Sequence, residues 1–110
     1  MKAHTIPQPD MNRWERGYAD HLELRKRGGE VKVYEFERFK LKLADKTYYT
    51  PDFLVVLADD TIELHEVKGH WEEDARVKWK ATADRYPIFR FVAVTGGPGK
   101  WRYEVAPPHG

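Results

Sequence analysis

The sequence predicts a single α/β (α+β) domain, a mixed β-sheet flanked by helices in the order α-β-β-β-α-β. Three observations carry this. A capped amphipathic segment near the N-terminus reads as a helix, and three runs rich in β-branched and aromatic residues follow it, separated by turn signals. A second amphipathic segment then ends at a proline and leads into a short apolar run. The 110 residues, 41% of them hydrophobic, suit one core. There is no cysteine, which excludes disulfides and thiolate metal sites. A net charge of +1 is too even for a histone-like coat, so any contact with a polyanion must come from a local patch. The longest apolar run, Phe53 to Ala58, is far short of the roughly 20 residues of a membrane span, and Met1 to His4 leads into no signal-type segment. A soluble, cytoplasmic protein without a membrane partner is expected.

Residues 1–11 hold two prolines and no periodicity and read as a flexible arm; the domain is expected over 12–105, with a frayed tail at 106–110. Asn12 followed by Glu15 forms a capping box, and Gly28-Gly29 stops the helix at Arg27. Trp14, Tyr18 and Leu22 make its apolar stripe.

Val31 to Leu43 alternates as a strand, with Val31, Val33, Phe39, Leu41 and Leu43 on one parity, but the register falters at Tyr34-Glu35-Phe36. A bulge there, or a break into two strands, accounts for it. Ala44-Asp45-Lys46 is a turn, Tyr48 to Leu57 is the next strand, and Thr61 to Val67 returns after Asp59-Asp60. These should form an antiparallel meander. Trp71 to Tyr86 is the second helix, stopped by Pro87, and Ile88 to Val94 is expected to pair in parallel. Lys100 to Val105 either adds an edge strand or lies across the surface.

Several polar residues occupy positions that packing alone does not explain. Glu66 and Lys68 share parity with Ile62 and Leu64, and Asp52 shares parity with Leu54 and Val56. A register setting Asp52 opposite Glu66 needs an odd loop such as Ala58–Asp60, with Asp60 in the left-handed region; a tight Asp59-Asp60 turn would offset the two carboxylates. Two carboxylates one strand spacing apart, with the Val67 carbonyl, can hold a hard divalent cation such as Mg²⁺, and Lys68 can orient or deprotonate an attacking water. The alternative is a buried ion cluster, which is weak as a stabilising device because desolvation offsets attraction. Glu15 sits on the flank of the helix stripe, where it serves either the capping box or this acidic group. His65 has the opposite parity and reads as structural, and the histidines show no zinc spacing.

Pro51-Asp52 followed by Glu66-Val67-Lys68, on adjacent strands after an acidic helix, resembles the PD-(D/E)xK nuclease superfamily. Within it the chain is similar to a family of short phage and prophage proteins, whose pattern reads here as Glu15, Gly29-Glu30-Val31, Asp52-Phe53 and Glu66-Val67-Lys68-Gly69. The likeness spans roughly residues 12–94. It implies a restriction-endonuclease-like core and hydrolysis of DNA phosphodiester bonds with Mg²⁺ or Mn²⁺ and no organic cofactor. Asp52 and Glu66 would be ligands, Glu15 an additional acid at the metal, and Lys68 the residue that activates or positions water. Where relatives carry Gln near the end of the second strand, this chain has Glu37.

Basic side chains near such a site would meet phosphates: Lys78, which matches a lysine of the resembling family, with Arg76, Lys80, Arg38 and Lys40, and at the edges Arg90, Lys100 and Arg102. Each reads equally as a solvated surface charge. His70 and Trp71 either touch nucleotides or, for Trp71, join the core. With no recognition appendage, selectivity for DNA shape is expected, such as branched DNA or a Holliday junction, or a nicking activity. The alternative is a DNA-binding module that keeps the fold without catalysis. Cutting two strands would take a homodimer, formed through Trp101, Tyr103 and Val105 or the neighbouring edge, unless that segment folds back over its own sheet.

Overall fold

The computed structural model describes residues 11–107. Helix α1 (Arg13–Arg27) begins at the expected capping box, where the Asn12 side chain accepts from the Glu15 N–H and Glu15 accepts from the Asn12 N–H. Six segments follow in order: β1 (Val31–Phe36), β2 (Leu41–Ala44), β3 (Thr47–Tyr49), β4 (Phe53–Leu57), β5 (Ile62–Val67) and α2 (Glu73–Arg85). The chain then closes with β6 (Arg90–Thr95) and β7 (Arg102–Val105). One five-stranded sheet runs β1-β4-β5-β6-β7, with β5 and β6 parallel and the other neighbours antiparallel. Strands β2 and β3 form a separate hairpin.

The run Val31 to Leu43 is therefore two strands in two sheets, the second of the two outcomes its broken alternation allowed. The bulge lies earlier than expected, between Val31 and Val33. It turns Tyr34 rather than Val33 into the core: Tyr34 is buried and Val33 exposed. Likewise, Tyr48 to Leu57 splits because Thr50-Pro51 leaves the ladder before Phe53.

The two sheet faces are covered separately. Tyr18 and Leu22 of α1 pack on Val31, Tyr34, Phe53, Val55, Val67, Val92 and Val94. On the other face Trp79 packs with Leu41, Leu64, Phe91 and Ala93. Trp14, expected in the first of these cores, is instead 36% exposed. Met11, assigned to the arm, is buried beside Tyr18 and Leu22, so the ordered domain starts one residue earlier; residues 1–10 lie outside the described residues. Ala106, assigned to the tail, donates its N–H to the Phe91 carbonyl and packs against the second core. Residues 108–110 lie outside the described residues. Helix α2 starts at Glu73 rather than Trp71, because Trp71 turns inward against Trp79, with ring centroids 5.5 Å apart. The Lys100 to Val105 segment folds back as β7 on β6, and Trp101 packs against the α1-side core. Among the described residues no helix is long and apolar enough to cross a membrane.

Candidate functional site

The β4–β5 connection sets the register on which the site depends. Phe53 lies opposite His65 and Leu54 opposite Leu64, the register that carries Asp52 level with Glu66. Ala58–Asp60 form the odd loop, closed by Leu57 N–H to the Thr61 carbonyl, with Asp60 at φ 73. Asp52, one residue before β4, and Glu66, near the end of β5, are both buried.

Their partners tie the site to three elements. The Val67 N–H donates to Asp52 Oδ2 at 2.8 Å, and the Asp52 carbonyl accepts from the Glu37 N–H at 2.8 Å, so Asp52 is fixed at both ends. Glu66 accepts from the Tyr49 hydroxyl through Oε1 and faces the Lys68 ammonium through Oε2 at 3.4 Å. The Asp52 backbone N–H also favours the ionised form of this carboxylate. Glu15, buried at the first turn of α1, comes close enough to Asp52 to share a hydrogen bond with it. Sequence position alone left Glu15 between two roles, and the structure gives it both.

Electrostatically the group is short of positive charge. Burial, then the neighbouring Glu66 and Glu15, push Asp52 up to about 9, against the pull of the Val67 N–H. Burial also raises Glu66, despite Tyr49 and Lys68. Tyr49 is raised well above the ordinary phenol range by burial and by Glu66, so its hydroxyl stays a donor. The Lys68 ammonium pairs with Glu66, and Asp52, with Glu66 and Glu15 as its neighbours, has no cation of its own. Among the described residues no three His, Asp or Glu side chains are gathered into a ready coordination shell. The carboxylates are instead held by N–H, hydroxyl and ammonium donors. Val67 shows its N–H in this role.

Trp14 lies at the mouth of the site. A Cβ on Gly69, next to Lys68, would come within 2.7 Å of its indole, so only glycine lets the ring lie there. Tyr49 and Trp14 were not read from the sequence. Tyr49 belongs to a strand that appears only once the Tyr48 to Leu57 run is split, and Trp14 shares the spacing of a core stripe.

The basic residues separate. Lys78 stands 5.9 Å from the Tyr49 ring, beside the acidic group, and the Lys40 ammonium lies 4.7 Å from the Tyr48 ring. Arg76 is bound to Glu104 at 2.5 Å and lies over Trp71 and Trp79, joining α2 to β7. Arg38 faces Glu35 at 3.5 Å, and Lys80 lines a shallow cavity with Ala106 and Pro107. Arg90 faces Glu63 on the α1 side of the sheet. His70 is exposed near Glu72.

That side of the sheet carries a second polar group. His65 is 1% exposed; its Nδ1 meets the Tyr18 hydroxyl at 2.7 Å and its Nε2 meets Glu63 Oε1 at 2.8 Å. Burial lowers His65, so the ring is neutral, donating from Nε2 and accepting at Nδ1. Burial works to raise Glu63, but the hydrogen bond from His65 and the nearby positive charge outweigh it and hold it low. The structural role expected for His65 is what this network gives it.

A model of the family described as "Protein of unknown function (DUF1064)" matches residues 11–97, and the chain belongs to that family. No curated protein and no solved structure matches it.

Proposed function

We propose that this family member is a metal-dependent endodeoxyribonuclease that hydrolyses phosphodiester bonds in the manner of the PD-(D/E)xK enzymes it resembles. One observation carries the reading: two buried carboxylates, Asp52 and Glu66, delivered by adjacent strands beside a single lysine, with Asp52 pushed up to about 9 for want of positive charge. Hard oxygen donors in this number suit Mg²⁺ or Mn²⁺, which are commonly held by one or two carboxylates with waters completing the shell. Asp52 and Glu66 would hold the ion, with the Val67 carbonyl and Glu15 as further oxygen donors. When bound, the ion would neutralise the phosphate and acidify its water.

The remaining work falls to this chain's side chains. The Tyr49 hydroxyl and the Lys68 ammonium, one on each carboxylate oxygen, fix the orientation of Glu66. Lys68, its side chain 36% exposed and aimed by Glu66, stands between the buried acids and solvent, where it would orient the attacking water or take its proton. Glu15 is placed by a helix whose cap it also forms. Lys78 is the side chain best positioned to meet the scissile strand's phosphates. Branched DNA is the preferred substrate in this proposal, and cutting both strands would take two copies joined along the β7 edge.

The test is incubation of the protein with labelled linear, nicked, single-stranded, forked and four-way DNA in Mg²⁺, Mn²⁺ or EDTA. Cleavage that needs the cation and disappears in Asp52→Asn supports the reading. Binding without cleavage in either cation leaves a DNA-binding module that keeps the fold.

A further inference from the structure

The β2–β3 hairpin stands apart from the main sheet, and its two faces differ sharply. The inner face carries Leu41 and Tyr49, packed with Leu64 and Trp79, and Tyr49 reaches down to Glu66. The Tyr86 hydroxyl also holds the Lys42 carbonyl. An isolated two-stranded hairpin is marginal in water, so this seating is what keeps it formed.

The outer face holds three lysines, of which, among the described residues, only Lys40 has a partner in the fold, the Tyr48 ring. Lys42 pairs across the ladder with Tyr48, Lys40 places its ammonium over the Tyr48 ring, and Lys46 occupies the turn at φ 60. All four residues are exposed. Among the described residues neither Lys42 nor Lys46 has a carboxylate within 4.0 Å. Like charges on one short ribbon repel, and the ribbon's single carboxylate, Asp45 in the turn, forms no ion pair with any of the three lysines among the described residues. In a protein whose net charge is +1, this is a local concentration of positive charge.

We propose that the outer face of the β2–β3 hairpin is the element that grips the sugar-phosphate backbone of duplex DNA, independently of sequence. The proposal rests on DNA being the substrate, and it names the surface that holds it. Ammonium groups are point charges suited to phosphate, and the ribbon carries no guanidinium fork or amide for reading a base edge. Single strands are gripped by open aromatic platforms, and here the exposed Tyr48 ring is covered by Lys40. The same strand that offers Tyr48 outward offers Tyr49 inward to Glu66, so a duplex held on the hairpin lies alongside the acidic group.

The test measures binding without cleavage. Fluorescence anisotropy of a labelled duplex in EDTA is followed across a salt series for the wild type and for Lys40→Gln/Lys42→Gln/Lys46→Asn, asparagine being chosen because it tolerates the left-handed turn. A control, Arg27→Ala/Lys32→Ala/Arg85→Ala, removes the same charge elsewhere. The hairpin variant should bind at least tenfold more weakly at low salt, on every duplex sequence alike. Its slope of log affinity against log salt should flatten by about 2 to 3, since each phosphate that is no longer neutralised takes about 0.9 from the slope. The control should change neither by as much. Equal losses in both variants, unchanged binding in the hairpin variant, no wild-type binding to duplex, or tighter wild-type binding to single strands or to duplex RNA would each overturn the proposal. If the triple variant melts below the wild type, Lys42→Glu alone replaces it, with the same direction expected. Salt-dependent binding through the hairpin with no cleavage in Mg²⁺ or Mn²⁺ would leave this surface standing and remove the nuclease reading.

Discussion

Strand β5 carries two buried polar groups that point to opposite faces, and they are built on opposite principles. On the α1 face Glu63, His65 and Tyr18 form a closed chain in which every proton has an acceptor. Glu63 is held low and His65 neutral, so its charge is settled within the chain and with Arg90. On the α2 face Asp52 and Glu66 are both pushed up, with one lysine paired to Glu66 and none to Asp52. The difference separates a polar group that serves the fold from one that waits for a ligand. A buried network satisfied from within rigidifies the structure, whereas one that needs a proton to stay buried has an opening for a cation.

The sharpest break between the two faces should come from Lys68→Ala. Removing this ammonium should lower cleavage by about 10² to 10⁴-fold while leaving the melting curve close to wild type, and cation binding should survive or tighten because a bound ion relieves the exposed repulsion. Turnover of the purified variant in Mg²⁺ and Mn²⁺, with melting in EDTA alongside, checks both halves.

Stability should respond with opposite signs on the two faces. Tyr18→Phe strips a hydrogen bond from a buried ring nitrogen and should cost about 1 to 3 kcal/mol. Asp52→Asn keeps an oxygen for the Val67 N–H and removes the cost of taking up a proton on folding, so in EDTA at neutral pH it should leave stability unchanged or raise it. Urea unfolding of both variants decides. A large loss in Asp52→Asn would mean that the acidic group is structural.

The pH dependence follows from the same contrast. Asp52 has a folded pKa raised from 3.8 to about 9, so its protonated form contributes stability that is fully present at acid pH and is lost as pH rises toward 9. His65 has a folded pKa below its unfolded 6.5, so its contribution is lost as pH falls through that range and is constant above it. Between pH 7 and 9, in EDTA, stability should therefore decline by at most about 1.4 kcal/mol per pH unit, and Asp52→Asn should flatten the decline. Millimolar Mg²⁺ or Mn²⁺ should stabilise the wild type, by about 2.7 kcal/mol at a hundredfold excess over Kd, and more at pH 8.5 than at 6.5, because the cation displaces a proton. A melting temperature indifferent to either ion would place the acidic group with the Glu63–His65–Tyr18 chain, as part of the fold.

The smallest effect expected is at the helix cap. Asn12→Ala removes one of two reciprocal hydrogen bonds and should cost about 1 kcal/mol. It also loosens Glu15, so the loss of activity should exceed what that stability change produces. A matching decline in both would confine Glu15 to capping.

Local chemistry made much of this protein legible in its sequence. The Asn12/Glu15 capping box, the glycines after Arg27 and the odd Ala58–Asp60 loop act within a few residues, and each lies where the sequence put it. The strand period of two then carries Asp52, Glu66 and His65 to their faces without further information. What the sequence could not decide are choices between equally patterned outcomes. The broken alternation over Tyr34 to Phe36 allows a bulge or a break, and only packing of Leu41 on the α2 face shows that the chain leaves the main sheet to build a hairpin. Trp14 has the spacing of a core residue and yet lies half-exposed on Gly69, while Met11 and Tyr18 on either side of it fill the α1-side core. Tyr18 meets His65 across 47 residues of chain, and Tyr49 meets Glu66 across 17. Periodicity says which face a side chain takes, but the atom it touches there is set by how the layers are stacked, and that is a property of the whole fold.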